Sequence, residues 1–185
     1  MLGLQGDVRE HLRALGDAGA APVVVKHPEQ LDEIDALVIP GGESTTIGKL
    51  LERFELLGPL EERARAGMPL YGTCAGMILM ARSVSGDPAP HRLGVLDVTV
   101  RRNAYGRQVD SFEADLDIEG MNEPFRAVFI RAPAVEAAAA SVDVLAVLDG
   151  VPVLVRQGRL LASSFHPEMT GDARVHELFV DMVSN

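Results

Sequence analysis

Two short apolar runs in this chain stop at glycine and pass straight into helix-forming sequence. Residues 35–39 (DALVI) run into Pro40-Gly41-Gly42, with a helix expected from about Ser44 and acidic Glu43 beside its N-terminus. Residues 69–72 run into Gly72-Thr73-Cys74-Ala75-Gly76, with an apolar helix expected over 77–81. Strand, tight turn and helix form the unit from which parallel sheets are wound, because a parallel neighbour is reached only by a crossover that covers a face of the sheet. Two further strands are expected at 1–4 and 22–25, the first a short one. Between them Val8, Leu12, Leu15 and Gly19 share one helical face, and Asp7, Arg9, Glu10 and Arg13 lie off it. With another helical stretch at 56–66, the first half reads β-α-β-β-α-β-α. Such sheets bind ligands outside the carboxyl ends of their strands.

The second half is strand-rich. Runs at 95–101, 112–118, 127–130, 142–148, 151–156 and 160–164 predict an antiparallel extension of the sheet, and Asp149-Gly150 signals a tight hairpin. Residues 85–92 (SGDPAPHR) read as a loop, and 137–140 as a short alanine patch. The chain closes in a helix with Val175, Leu178, Phe179, Met182 and Val183 on one face. The expected architecture is α/β and three-layered: a mostly parallel central sheet, helices on both faces, and that extension. At 185 residues with no linker-like stretch, residues 1–185 are expected to form one domain. Twenty-seven Asp+Glu against 17 Lys+Arg give a net charge of −10, which argues against nucleic-acid and anionic-membrane partners. One cysteine excludes an internal disulfide and a cysteine-built zinc site. No apolar run approaches the ~18 residues of a membrane span, and the N-terminus lacks the pattern of a signal peptide. A cytoplasmic protein is expected.

Three places carry chemistry. In Gly72-x-Cys74-x-Gly76, glycines two before and two after a nucleophile permit a sharp strand-to-helix turn that lifts the side chain above the sheet edge with its backbone strained, and the helix N-terminus beneath favours a thiolate. The bland reading of Cys74 is a small buried hydrophobe. In His166-Pro167-Glu168, after the run at 160–164, residues i and i+2 point the same way in extended chain, so Glu168 can orient the His166 ring. The bland reading of His166 is a structural strand end. In Pro40-Gly41-Gly42-Glu43-Ser44-Thr45, glycines expose backbone N–H groups, and one of these, with the N–H of Ala75, makes an oxyanion hole. A phosphate loop ending at Gly48-Lys49 fails on spacing: Glu43 stands where its first glycine is needed, and Leu50 replaces the metal-binding hydroxyl. No metal or cofactor is called for. His11, His27, His91 and His176 read as surface or packing residues, and Met77 and Met80 as core.

PGGES, GTCAG and SFHPE in this order resemble the class I (triad) glutamine amidotransferases. The segments 2–11 (LGLQGDVREH), 101–116 (RRNAYGRQVDSFEADL) and 128–133 (VFIRAP) narrow the likeness to the branch that serves pyridoxal 5′-phosphate synthases. The resemblance runs the length of the chain. It implies hydrolysis of L-glutamine to glutamate and ammonia, and a (β/α)₈ synthase subunit as partner, which makes pyridoxal 5′-phosphate from ribose 5-phosphate and glyceraldehyde 3-phosphate. It implies Cys74 as nucleophile with His166 and Glu168 completing the triad, and Gly42 and Ala75 at the oxyanion. Gly42, Glu43, Ser44, Arg102, Ile130 and Arg131 would contact glutamine, and Gln5 the synthase. For the two arginines the bland reading is a solvated basic edge. The resemblance also implies a subunit nearly silent until docked. Glutaminases of other biosynthetic pathways, elbow-cysteine hydrolases of the same fold, and a non-catalytic capping subunit are the alternatives; the His-x-Glu and the intact triad argue against the last two.

Overall fold

The computed structural model describes residues 1–85, 91–102, 104 and 111–184. Residues 86–90 of the expected loop, and 103 and 105–110 of the RRNAYGRQVDSFEADL segment, lie outside the described residues.

Five strands form the main sheet, in the order β1 (Leu37–Ile39), β2 (Leu70–Thr73), β10 (Leu160–Ser163), β9 (Val151–Gln157), β8 (Asp143–Leu148). β1, β2 and β10 are mutually parallel, while β9 and β8 continue the sheet antiparallel. The N-terminal segment extends it on the β1 side: the Leu2 N–H donates to the Val38 carbonyl at 2.9 Å, and Leu2 bridges Val25 in parallel. The strands expected at 1–4 and 22–25 are thus each reduced to a single bridge. Leu148 faces Val151 across the predicted hairpin, whose Asp149 and Gly150 sit at φ 50° and 80°, both left-handed as a two-residue turn demands.

Side chains alternate between two clusters of buried residues, one on each face. Leu37, Ile39, Leu70 and Ala162 point to one; Val38, Tyr71 and Leu161 to the other. The first face is covered by α2 (Ser44–Arg53), α3 (Leu57–Arg65) and α4 (Ala75–Met80), through Ile47, Leu51, Leu60 and Met77. The second is covered by α1 (Val8–Asp17) and α5 (Arg174–Ser184), through Leu15, Val175 and Phe179. All six residues of α4 are buried, which explains why its sequence is apolar on every side.

The second half departs from a simple sheet extension. β3 (Ala81–Ser85), β4 (Leu96–Arg101) and β7 (Ala134–Ala138) form a separate sheet, and β5 (Ser111–Leu116) pairs only with β6 (Phe125–Ile130) among the described residues. Two of these strands were not expected. The chain leaves α4 directly into β3, and β7 includes part of the alanine patch. Alanine carries little strand preference of its own, so β7 exists because β4 offers a pairing edge.

Candidate active site

β2 and β10 are adjacent, parallel and in register, with Ser163 opposite Thr73. The residues that follow each strand therefore emerge at the same sheet end, the carboxyl end. Cys74 leaves β2 there. It is only 7% exposed, its N–H donates to the Ser163 carbonyl at 2.8 Å, and its backbone is held at φ 47°, ψ −98°. The strained backbone expected at Cys74 is present, and the flanking glycines permit the turn by giving room. Neither sits at positive φ; a side chain on Gly72 would meet the Gly76 backbone at 2.5 Å, and one on Gly76 would meet the Ile39 carbonyl oxygen at 2.3 Å. They let β2, α4 and β1 close up, and the strained turn falls on the cysteine itself. Its Sγ lies 3.8 Å from the Ile130 carbonyl oxygen.

His166 follows β10 and is anchored by its N–H to the Val128 carbonyl of β6 at 2.8 Å. Its Nδ1 donates to Glu168 Oε1 at 2.8 Å, so the i, i+2 pairing expected from His-Pro-Glu is present, although Glu168 lies within a 3₁₀ turn (Pro167–Met169) rather than an extended chain. Asp7 Oδ2 lies 3.5 Å from the same nitrogen. Gly41 packs against the ring, since a side chain there would come within 2.3 Å of His166 Cε1. Burial works to lower the His166 pKa, but hydrogen bonding to Asp7, Cys74 and Glu168 outweighs it and pushes it up to about 12, so the ring holds its proton at neutral pH. Glu168 is displaced upward by burial, against the lowering effect of His166.

A cleft of about 360 Å³ opens over these groups, a size that suits an amino-acid-sized ligand. Its walls include Gly42, Glu43, Ser44 and Ala75 on one side and Arg102, Ile130 and Arg131 on the other, so every residue expected at the substrate is gathered in one place. Arg131 is the second non-glycine residue in the cleft at positive φ, 44°. Glu43 caps α2: its carboxylate accepts from the Thr45 and Thr46 N–H groups at 3.0 and 2.6 Å and from the Thr46 hydroxyl at 2.7 Å. Burial raises its pKa, but these hydrogen bonds, the Thr46 hydroxyl first, outweigh that and hold it at about 2. Arg102 reaches the same carboxylate at 3.4 Å. Gln5 Oε1 accepts from the Glu43 N–H at 2.9 Å, and the Asp7 N–H faces the Gly41 carbonyl at 3.4 Å, so the segment 5–7 is tied to the glycine loop. Among the described residues the set able to gather a metal ion is Asp7, His166 and Glu168, but His166 Nδ1 is already hydrogen-bonded within that set.

A model of the SNO glutamine amidotransferase family matches residues 1–185. The chain belongs to that family. It is 62% identical over 185 residues to "Pyridoxal 5′-phosphate synthase subunit PdxT" of Frankia casuarinae, covering 99% of this chain and 93% of that one. To the protein of the same name from Mycobacteroides abscessus it is 61% identical over 184 residues, covering 99% and 95%. A crystal structure described as a glutamine amidotransferase superposes with a TM-score of 0.95 at 49% identity, covering 100% of this chain and 97% of that chain.

Two further residues lie beside Cys74, His166 and Glu168 that the sequence pattern does not place there. Asp7 was set among the polar residues of α1 and instead borders the cleft. His11, one helical turn on, is fully buried, as is His176 of α5, whereas His27 and His91 lie nearer the surface. The signal was the stripe Asp7, His11, Leu15 at intervals of four. It lines one side of a helix, but its polar members hid it from a search for apolar faces. No described helix is long and apolar enough to cross a membrane.

Proposed function

We propose that this chain is the glutaminase subunit of a pyridoxal 5′-phosphate synthase. In this reading it hydrolyses L-glutamine to L-glutamate and ammonia, and hands the ammonia to a (β/α)₈ synthase subunit that uses ribose 5-phosphate and glyceraldehyde 3-phosphate. The whole chain acts as one glutaminase domain, in the cytoplasm. The observation that carries the reading is the convergence of Cys74, the His166–Glu168 pair and the Arg102 and Arg131 guanidinium groups on one cleft.

Glutamine lies in the cleft with its α-carboxylate toward Arg102 and Arg131, whose planar donors suit a carboxylate. The Cys74 thiolate attacks the side-chain carboxamide carbon, forming a C–S bond and an oxyanion. The N–H groups of Gly42 and Ala75 stabilise that charge, each donor being worth ~3 kcal/mol. With Nδ1 engaged by Glu168, His166 uses Nε2 to protonate the departing nitrogen. The C–N bond breaks, ammonia leaves, and a glutamyl thioester remains. His166 then takes a proton from water, the hydroxide attacks the thioester carbon, the C–S bond breaks, and glutamate is released. Segment 5–7 supplies a route for gating: Gln5 at the synthase surface is bonded to Glu43, next to Gly42.

The test is glutamate release from L-glutamine by this chain with and without its own organism's synthase subunit. Turnover that rises sharply on mixing and vanishes in Cys74→Ala supports a partner-gated glutaminase. A folded chain silent in both conditions would overturn it in favour of a non-catalytic subunit.

A further inference from the structure

Behind the triad lies a buried polar cluster that the mechanism above does not use. Glu168 has two carboxylate oxygens. Oε1 receives His166; Oε2 is buried without a well-directed hydrogen bond from the described residues, and the polar atom facing it is His11 Nε2 at 3.3 Å. The same His11 nitrogen lies 3.1 Å from the hydroxyl of Thr73, the residue before Cys74. On its other side His11 Nδ1 lies 3.0 Å from His176 Nε2. The side chains of His11 and Glu168 are both wholly inaccessible to solvent.

Two arrangements of protons are open to this cluster. If His11 carried its hydrogen on Nδ1, it would donate to His176. The His11 Nε2 lone pair could then accept from the Thr73 hydroxyl but would also face the Glu168 carboxylate oxygen, and His176 would keep its own hydrogen on Nδ1, which has no partner among the described residues. If His11 carries it on Nε2, that N–H points at Thr73 Oγ1 and Glu168 Oε2, Nδ1 accepts from His176 Nε2–H, and the atom left over is an acceptor, the His176 Nδ1 lone pair. The first arrangement strands the His176 Nδ1 hydrogen and sets a lone pair against a buried carboxylate oxygen; the second gives that charged oxygen a donor and leaves over only the hydrogen of the Thr73 hydroxyl, a weaker and freely rotating group.

We propose that His11, set in this tautomer by His176, is a positioning residue for the triad, its single Nε2–H shared between Glu168 Oε2 and Thr73 Oγ1. This inference rests on the glutaminase reading above. One N–H thereby braces both arms of the machinery: the carboxylate that orients His166, and the strand end that presents Cys74. Without it, Glu168 keeps one hydrogen-bonded oxygen and is free to turn about its last torsion, and the His166 ring loses its fixed plane. The neutral state this requires agrees with the environment: burial, followed by the proximity of His176 and His166, lowers the His11 pKa well below its usual range, and burial lowers that of His176 to about 4. His11 also sits one turn along α1 from Asp7, so the brace is continuous with the segment that meets the glycine loop.

The unaltered chain, bound to its synthase subunit, is examined first by long-range ¹⁵N–¹H correlation of the histidine rings, with His11→Gln used for assignment. A neutral His11 protonated at Nε2 is expected; protonation at Nδ1 overturns the inference even if every variant proves unstable. Kinetics on the same complex follow. His11→Leu, which keeps bulk and removes the donor, is expected to lower kcat roughly ten- to a hundredfold, the scale of outer hydrogen bonds that orient ligands at metal sites. KM for glutamine should stay within about twofold, because the cleft is untouched. His11→Gln, whose amide returns an N–H near the same point, should recover most of the loss. Equal losses in the Leu and Gln variants, or none in Leu, would reduce His11 to packing. Absence of Cys74-dependent turnover in the unaltered complex would defeat the glutaminase reading instead, and this proposal with it.

Discussion

Cys74 and Arg131 share a feature that their side chains do not explain. Both are non-glycine residues at positive φ, and both border the same cleft. Each such position costs about 1–3 kcal/mol and persists where neighbours over-determine it. For Cys74 the neighbours are plain: its N–H is fixed by Ser163, and Gly72 and Gly76 leave no space for the turn to relax. This makes a distinctive stability prediction. Cys74→Ala keeps the strain, whereas Cys74→Gly releases it, so the glycine variant should be the more stable of the two by about 1 kcal/mol, reversing the usual order for these residues near a helix. Urea unfolding of the two variants measures this, and an alanine variant of equal or greater stability would refute strain at Cys74. Gly76→Ala should fail more severely, because its added carbon meets backbone rather than a movable side chain. For the proposed substrate contacts, Arg102→Met should raise KM for glutamine about tenfold or more with a smaller change in kcat, read from steady-state kinetics. The two glycines were legible as markers of the elbow. So was a strained backbone at the cysteine between them; that the glycines serve close approach was not, because contacts with Ile39 and Met80 depend on where β1 and α4 come to lie.

At the scale of elements, α2 starts where its sequence says it should, and the reason is Glu43. A carboxylate at the N-cap receives two backbone N–H groups that the helix itself leaves open. Its folded pKa of about 2 lies below the ordinary value of 4.5, so the cap contributes stability above pH 4.5 and loses it as the pH falls toward 2. The group is half exposed and solvent-screened, so Glu43→Gln should cost only about 1 kcal/mol near neutral pH, with the gap to the unaltered protein closing between pH 4.5 and 2. Thermal unfolding across that range checks it; a gap that stays constant with pH would assign the cost to something other than the carboxylate's charge. Helices with capped starts and one apolar face were readable in this way. β3 and β7 were not, since their sequences follow a helix or run through alanines and acquire strand geometry only by pairing with β4. The expected strand at 22–25 erred in the other direction: a β-branched run met just one neighbour, at Leu2.

Across the whole molecule, the decisive fact is that β10, nearly the last strand in the chain, inserts beside β2. Chain order gives Cys, His, Glu; it does not say that the strands bearing the first two are neighbours in register, and the site depends on that. The same insertion draws α1 and α5 together on one face and buries His11 against His176 beneath the triad. A consequence is a stability profile with opposing limbs. His176, with a pKa lowered by burial to about 4, stays neutral when folded but takes a proton when unfolded, so its contribution is lost as pH falls from 6.5 toward 4. By the usual 1.36 kcal/mol per pH unit, that loss is on the order of 3 kcal/mol. His11 acts in the same direction. His166 is opposite: raised to about 12, it favours the folded state below pH 6.5 and loses that contribution as pH climbs. Glu168, raised by burial, also opposes the acid limb, because the folded state takes up its proton first. Stability of the free chain should therefore peak near pH 6.5, measured as urea midpoints between pH 4.5 and 9. His176→Gln should flatten the acid limb, and His166→Gln the alkaline one. Should His176→Gln retain the full acid slope, His176 would not be the source of the acid limb, which would then rest on His11 or the surface carboxylates.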